Sequence, residues 1–320
     1  MTTVDRVLTL LLAEDSLSGE DAARTLGVSR NAVWKAIAEI RARGYTVEAA
    51  SGRGYRLTGI GQDLSAPVIR RFLTAGNRAF DFTIRDTVTS TNSVARQLSE
   101  EGAKEFTVVL ADRQTEGRGR RGRTFYSEGA HNIYMSLILR PTLPPDRAIW
   151  ITAAAAVSAV RALKKVAGID ASIKWVNDIF VFGKKVAGIL TEGALDMESG
   201  TLSYAVMGIG INIGRTDFPP EIADVAGSLE ALTKKPIARA AVIGAFLSEF
   251  YRIYTALPAL DFMEEYRRRS LAIGRTVTVA DPGGAYPATV TDVTNDGTLV
   301  IKKENGETAV LVSGEISIKL

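Results

Sequence analysis

The hydrophobic period changes twice along this chain of 320 residues. Through residue 60 apolar side chains recur at helical spacing, from 64 to 270 short strand-like runs alternate with helical ones, and from 271 onward only β-patterned runs between turn signals remain. No single layer architecture satisfies all three patterns, and domains of roughly 100 to 200 residues leave room for two or three. The expected fold is therefore α+β and multidomain, divided at 1–60, 64–270 and 271–320, with 58–63 as a short polar linker.

In the first segment Val7, Leu8, Leu11 and Leu12 form one helical stripe. Ser18 with Asp21 three residues on approximates a capping box for a second helix, which Gly27 ends. Ser29 caps a third, whose inward stripe is Val33, Ile37 and Ile40 and whose stop is Gly44. Its outward positions carry Arg30, Asn31, Trp34 and Lys35, side chains suited to phosphates and to base edges in a major groove. Residues 45–50 and 55–57 read as a hairpin with Arg53 at its tip, placed to reach a DNA backbone. From Arg24 to Arg56 seven basic residues face two acidic ones, so charge is concentrated here although the whole chain is only +3. The alternative is a three-helix interaction module with a solvated basic face. Helix, turn, helix and wing in sequence resemble the winged helix-turn-helix domain that precedes the catalytic domain of repressor-type biotin protein ligases.

Composition narrows the chemistry. Cysteine is absent and His131 is the only histidine. That excludes disulfide scaffolds, thiolate nucleophiles, Cys-ligated metals and multi-His sites, leaving Arg, Lys, Asp, Glu and backbone dipoles. The N-terminal apolar stretch is broken by Asp5 and Arg6 and lacks the marks of a signal peptide. The most apolar window, 148–160, falls short of the roughly 20 residues a bilayer requires. A cytoplasmic protein with no membrane association is expected.

The most informative segment follows the apolar run that ends at Ala111. Residues 112–125, Asp-Arg-Gln-Thr-Glu-Gly-Arg-Gly-Arg-Arg-Gly-Arg-Thr-Phe, hold five arginines and three glycines. Glycine lets backbone approach a ligand, and arginine offers a planar charged fork for carboxylate and phosphate oxygens. The segment lacks the endings of a P-loop or a Rossmann turn. A disordered Arg/Gly segment is the alternative, against which its setting between core strands argues. The segment is similar to the Gly-Arg-Gly-Arg-x-Gly-Arg loop of biotin protein ligases. Ser90-Thr-Asn92, Gln114, Lys174-Trp-Val-Asn-Asp178, Lys185-Val-Ala-Gly-Ile-Leu190 and Gly208-Ile-Gly-Ile-Asn212 follow in the family's order.

The resemblance implies a central mixed α/β catalytic domain, class II aminoacyl-tRNA synthetase-like. It further implies that biotin is bound by Ser90, Thr91, Asn92, Gln114, Gly117, Arg118, Lys185, Gly188, Gly208 and Gly210. Adenylate would be bound by Arg120, Arg121, Arg123, Phe125, Asn177, Asn212 and Lys319, and Arg118, Arg120, Lys185 and Asp178 would act in catalysis. Local physics leaves alternatives open. Residues 90–92 can simply cap a helix; Lys185 can be a solvated strand end; Asp178 can orient Lys185, bind Mg²⁺ or form an Asx turn with Asn177. Gly208 and Gly210 can leave room for a flat ring or mark a bulge. Arg140 and the loop 215–227 are further candidates for the nucleotide side. Two residues depart from the family pattern: Val176 stands where proline is usual, and Phe125 where tryptophan is common.

Turn signals at 281–284, 295–297 and 305–306 predict a small SH3-like β-barrel at the C-terminus. Lys319 there can reach ATP or remain solvated. The implied chemistry is attack of the biotin carboxylate on ATP, giving biotinyl-5'-AMP and pyrophosphate, then transfer to a lysine of the biotin carboxyl carrier domain of acetyl-CoA carboxylase. The adenylate-loaded form is expected to dimerise on the biotin operator. Two alternatives remain: a biotin-sensing repressor without ligase activity, and a ligase for another acyl acid such as lipoate.

Overall fold

The structure, a computed structural model, describes residues 2–50, 54–127, 131–196, 198, 200–281, 284–312 and 314–318. Three helices open it: α1 (Thr3–Ala13), α2 (Gly19–Leu26) and α3 (Arg30–Ala42). Thr2 and Asp5 form a reciprocal capping box on α1. Ser18 accepts from the Glu20 and Asp21 amides, and Gly27 ends α2 at φ 65°, a left-handed position that suits glycine. Ser29 accepts from the Ala32 amide to cap α3, whose buried face is Val33, Ala36, Ile37 and Ile40. The antiparallel hairpin β1 (Thr46–Ala50) and β2 (Gly54–Gly59) follows, tied to the turn before α2 by paired Leu17 and Tyr55 amides.

After α4 (Ala66–Arg71) comes β3 (Asp81–Val88), α5 (Thr91–Glu100), β4 (Thr107–Gln114), β5 (Ile133–Leu139), α6 (Ile149–Ala167), β6 (Ser172–Lys174), β7 (Asp178–Val181), β8 (Lys184–Leu195) and β9 (Leu202–Ile211). These strands form one sheet in the order β3-β4-β5-β9-β8-β7-β6, parallel between β3 and β4 and otherwise antiparallel. Alternation assigns its two faces. Val108, Leu110, Met135, Leu137 and Met207 join the main core with α6. Val109, Ile138 and Val206 face the other way and pack with Ala95 of α5. Ser136, Gly208 and Gly210 share that second face by period two, so beyond α5 the sheet surface is low. The ligand-sized cleft lies there.

Short helices α7 (Pro220–Ala223) and α8 (Leu229–Thr233) lead to α9 (Arg239–Thr255), which packs on α6, and to α10 (Phe262–Arg268). The last unit is β10 (Thr276–Asp281), β11 (Gly284–Val293), β12 (Leu299–Lys303), β13 (Thr308–Leu311) and β14 (Glu315–Ser317), a five-stranded antiparallel sheet ordered β13-β12-β11-β10-β14. Its turn at 294–297 is fastened to the central unit: Trp175 Nε1 in the β6–β7 turn donates to the Gly297 carbonyl at 2.9 Å, Arg267 Nη1 of α10 to Asn295 Oδ1 at 2.7 Å, and Arg147 before α6 pairs with Asp296. No helix among the described residues is long and apolar enough to cross a membrane.

Candidate functional site

The cleft is lined by the start of α5, the end of β4, the arginine segment, the β6–β7 turn and the middles of β8 and β9, with Gly314 and Ile316 at its rim. Its floor is low because β8 and β9 pair glycine against glycine, Gly188 with Gly210. A methyl at Gly208 would overlap Asn92 Oδ1. At Gly210 it would meet the Phe125 ring at 2.5 Å, and at Gly188 it would meet the same ring at 3.4 Å. The flat ring over Gly188 and Gly210 is thus the chain's own Phe125, one of the two residues that depart from the family pattern.

Ser90 occupies the N-cap of α5, yet its side chain makes no capping bond. Capping therefore does not account for the Ser-Thr-Asn triplet. Its members are all but buried, and Thr91 and Asn92 join a polar cluster instead. Gln114 Oε1 accepts from the Thr91 amide at 2.8 Å and from the Thr91 hydroxyl at 3.1 Å, while Gln114 Nε2 donates to Ser127 Oγ at 3.1 Å. Ser136 Oγ lies 2.6 Å from Asn92 Oδ1 and 2.8 Å from Thr91 Oγ1. Asn92 Nδ2 donates to Glu192 Oε2 at 2.8 Å.

The arginine segment folds as a tight hairpin. Arg118 bridges to Thr124, the Gly119 amide donates to the Arg123 carbonyl at 2.7 Å, and the Phe125 amide to the Gly117 carbonyl at 2.9 Å. Arg121 (φ 56°) and Gly122 (φ 73°) make the turn in left-handed conformations. At Gly117 a side chain would overlap Ser127 Oγ and the Phe125 carbonyl, which explains the glycine at the hairpin's base. Arg118, Arg120, Arg121 and Arg123 all line the cleft, as do Lys174 and Lys185. Among the described residues Asp178 pairs with Lys185 and Glu192 with Arg118. Such a surplus of cations in one concavity suits a ligand with several negative charges.

Lys185 Nζ stands 2.6 Å from Asp178 Oδ1. This is an ion pair off the hydrogen-bonding direction, since that buried oxygen has no hydrogen-bond partner among the described residues. Arg120 Nη1 donates to Asn177 Oδ1 at 3.3 Å, and Asn177 Nδ2 to the Ile189 carbonyl at 2.8 Å, so Asn177 joins the arginine hairpin to β8. The Trp175–Val176 peptide is cis. Beneath this turn Tyr266 donates to the Val176 carbonyl at 3.0 Å, and burial pushes its phenol well above the usual range.

Several expected residues lie elsewhere. Asn212 is buried outside the cleft lining, its Nδ2 on the Gly227 carbonyl at 3.3 Å and its Oδ1 without a hydrogen-bond partner among the described residues. Gly117, at the hairpin's base, is not among the residues that line the cleft. Arg140 serves the carbonyls of Ser99, Ala103 and Ser203, away from the cleft. The loop 215–227 pairs with the Lys185 backbone through Val225 and Gly227. Lys319 and Arg53 fall outside the described residues. On α3, Arg30, Asn31, Trp34 and Lys35 are all exposed, Trp34 at 59%, an unusual setting for so large an apolar side chain on a single-purpose surface. Sequence reasoning missed Glu192 and Ser136. Glu192 was signalled by its period-two spacing from Gly188, and Ser136 by a hydroxyl inside an otherwise buried strand.

Residues 84–212 match the Biotin/lipoate A/B protein ligase family, 3–56 match the HTH domain, and 272–319 match the Biotin protein ligase C terminal domain. Fold and cleft together define a protein ligase of the biotin/lipoate type with a helix-turn-helix in front. The chain is 37% identical to Bifunctional ligase/repressor BirA of Bacillus spizizenii over 91% of its own length and 90% of that protein's. It is 32% identical to Biotin--[acetyl-CoA-carboxylase] ligase of Mycobacterium tuberculosis over 76% and 90%. The Aquifex aeolicus biotin protein ligase in complex with biotin and ATP is a structural neighbour at TM-score 0.63 and 28% identity, covering 74% of this chain and 97% of that one. The chain belongs to the bifunctional biotin ligase/repressor family.

Proposed function

We propose that this protein joins biotin to a lysine of a biotin carboxyl carrier domain through biotinyl-5'-AMP, and that its winged helix represses biotin synthesis genes. The observation that carries the reading is the cleft itself: a glycine floor, a neutral hydrogen-bonding cluster at one end and six cationic side chains around the rest. A carboxylate is a poor acylating agent. Its oxygen must first bond to the α-phosphorus of ATP, with pyrophosphate leaving, before a lysine amine can attack the acyl carbon and expel AMP. The first step is positioning plus electrostatics, which arginines and a lysine supply without histidine or cysteine.

In this reading Ser90, Thr91, Asn92 and Gln114 bind the polar ring of biotin. Lys185, oriented by Asp178, meets the carboxylate and then the developing phosphate charge. Arg118 and Arg120 close over the adenylate and keep water from it; Arg121, Arg123 and Phe125 extend that cover. Asn212, buried outside the cleft lining, has no direct contact with the ligand in this reading. No three His, Cys, Asp or Glu side chains cluster among the described residues. Nucleotide-borne Mg²⁺ needs only one or two carboxylates, so Asp178 fits as a single ligand that would help neutralise phosphate charge.

Residues 1–60 would read the operator through α3, as an adenylate-loaded homodimer on a two-fold site, 64–270 would carry the chemistry, and 271–320 would close the rim, in the cytoplasm. The deciding experiment measures biotin-dependent pyrophosphate release from Mg·ATP with and without the carrier domain of acetyl-CoA carboxylase. Release followed by biotin on the carrier lysine is expected; biotin binding without release would leave a sensor only. Lipoate in place of biotin should release nothing.

A further inference from the structure

Glu192 lies on β8 two pleats beyond Gly188 and faces the cleft side of the sheet. Its two carboxylate oxygens are divided between two partners. Oε2 accepts from Asn92 Nδ2 at 2.8 Å, and Oε1 lies 3.2 Å from Arg118 Nη2. Asn92 is only 5% exposed, and its Oδ1 faces Ser136 and the place where a Gly208 side chain would be. One carboxylate therefore ties the buried polar cluster to the arginine hairpin, the two parts that the ligation reading assigns to the two ends of one adenylate.

We propose that Glu192 is a positioning residue for ligation: it fixes the Asn92 amide and holds Arg118 over the cleft. The inference rests on the ligase reading above. Glu192 and Arg118 are 34% and 44% exposed at their side chains, and a partly solvated ion pair of this kind contributes little to overall stability. Its consequence is geometric. Without it, Arg118 keeps its charge but loses the anchor that limits where the guanidinium goes, and a misplaced closing group loses its effect on the ligand beneath. Asn92 would at the same time lose the acceptor that sets which end of its amide faces Ser136.

Glu192→Gln separates these roles. Its carbonyl oxygen can still accept from Asn92, which turns the new NH₂ toward the Arg118 guanidinium, donor against donor. The test loads the full-length protein with adenylate from labelled ATP and biotin, then follows its loss after a chase, alongside the biotin KM for pyrophosphate release and the thermal midpoint. Glu192→Gln is expected to lose adenylate roughly tenfold faster, the scale on which a misplaced closing group loses its effect. Its biotin KM should change less than that of Glu192→Ala, and its midpoint should stay within about 2 °C of wild type. Added to Arg118→Ala, Glu192→Gln should accelerate adenylate loss no further, because it acts through that arginine. Should the glutamine variant not fold, Glu192→Asp, too short to span both partners, gives the same comparison with intermediate loss expected. Wild-type retention in these variants, or full additivity with Arg118→Ala, overturns the proposal alone. A wild-type chain that releases no pyrophosphate with biotin overturns the ligase reading, and this inference with it.

Discussion

Lys185 and Asp178 are held 2.6 Å apart by strand pairing, since β7 and β8 set Asp178 against Gly188 and Phe180 against Lys185. A charge fixed in advance lowers a barrier more than one that must be gathered from solvent, and losing one such group costs about 100-fold or more. Lys185→Met is therefore expected to slow biotin-dependent pyrophosphate release about 100-fold. Asp178→Asn, which keeps the ammonium but not the charge that holds it, should slow release less. Equal rates for wild type and Lys185→Met would take the lysine out of the chemistry. The floor glycines give a second test. Gly210 has no left-handed φ, so alanine meets no backbone penalty there, only the Phe125 ring 2.5 Å from the new methyl. Overpacking of this kind costs about 1 to 3 kcal/mol. Gly210→Ala should weaken biotin binding about tenfold by calorimetry, and Phe125→Leu should restore part of it; unaltered affinity would mean that the ring yields freely.

Among the elements, α10 is tied to α6 by a single carboxylate. Glu265 accepts from Arg161 Nε and Arg269 Nε, each at 2.8 Å. Burial alone would push its pKa up, but the bonds and charges of Arg269 and Arg161 leave it below the ordinary 4.5. A carboxylate depressed in the folded state contributes stability that is fully present above the unfolded value and is lost as pH falls through the folded one. The wild-type melting temperature should thus drop below about pH 4.5, whereas Glu265→Gln starts lower at neutral pH and drops less steeply. Parallel curves through the acid range would show that the pair contributes nothing. The longer elements were legible because periodicity is local: Val33, Ile37 and Ile40 mark the buried face of α3 and Ser29 its cap, as apolar spacing and capping chemistry place them. Helices α4, α7 and α8 were not, since six, four and five residues give too few turns for a pattern and are held by tertiary contacts. Strand order was hidden for the same reason: β5 and β9 are neighbours across about sixty residues of intervening chain, and no local feature encodes that pairing. The arginine hairpin and the Lys174–Asp178 turn could be read as contiguous motifs. Gly314 reaches the cleft lining, and Glu192 and Ser136 reach the side chains of Arg118 and Asn92 that line it, only once separate strands are brought together.

At the scale of the whole molecule the units meet at Arg239. This guanidinium is 4% exposed at the start of α9 and lies 2.7 Å from Asp112 Oδ1, near the end of β4 where the arginine segment begins. Its Nε donates to the Gln62 carbonyl in the linker at 2.5 Å, and its Nη1 to the Asn132 carbonyl, just before β5, at 3.2 Å. Gln62 Nε2 returns to the Ile237 carbonyl at 3.3 Å, and Tyr45 at the foot of the wing donates to Asp63 Oδ2 at 2.8 Å. Both ends of the segment that carries the arginines, and the peptide leading to the winged helix, thus share one buried cation. Removing it leaves two carbonyls and a carboxylate without their donor; since Asp112 is 43% exposed and can take water, the cost falls short of a fully buried pair, at about 2 to 3 kcal/mol. Arg239→Met, which fills much of the volume, is expected to lower global stability by about that amount in denaturant unfolding. It should also speed protease cleavage within 58–65, because local opening follows the bonds that hold a segment down. Lysine at 239 keeps the charge but not the fork that serves Asp112 and Gln62 together, so it should rescue stability in part and leave the linker open to cleavage. If Arg239→Met unfolds earlier yet its linker is cut no faster than wild type, the arginine stabilises the central sheet alone, and the winged helix is held by its contacts with α4 instead.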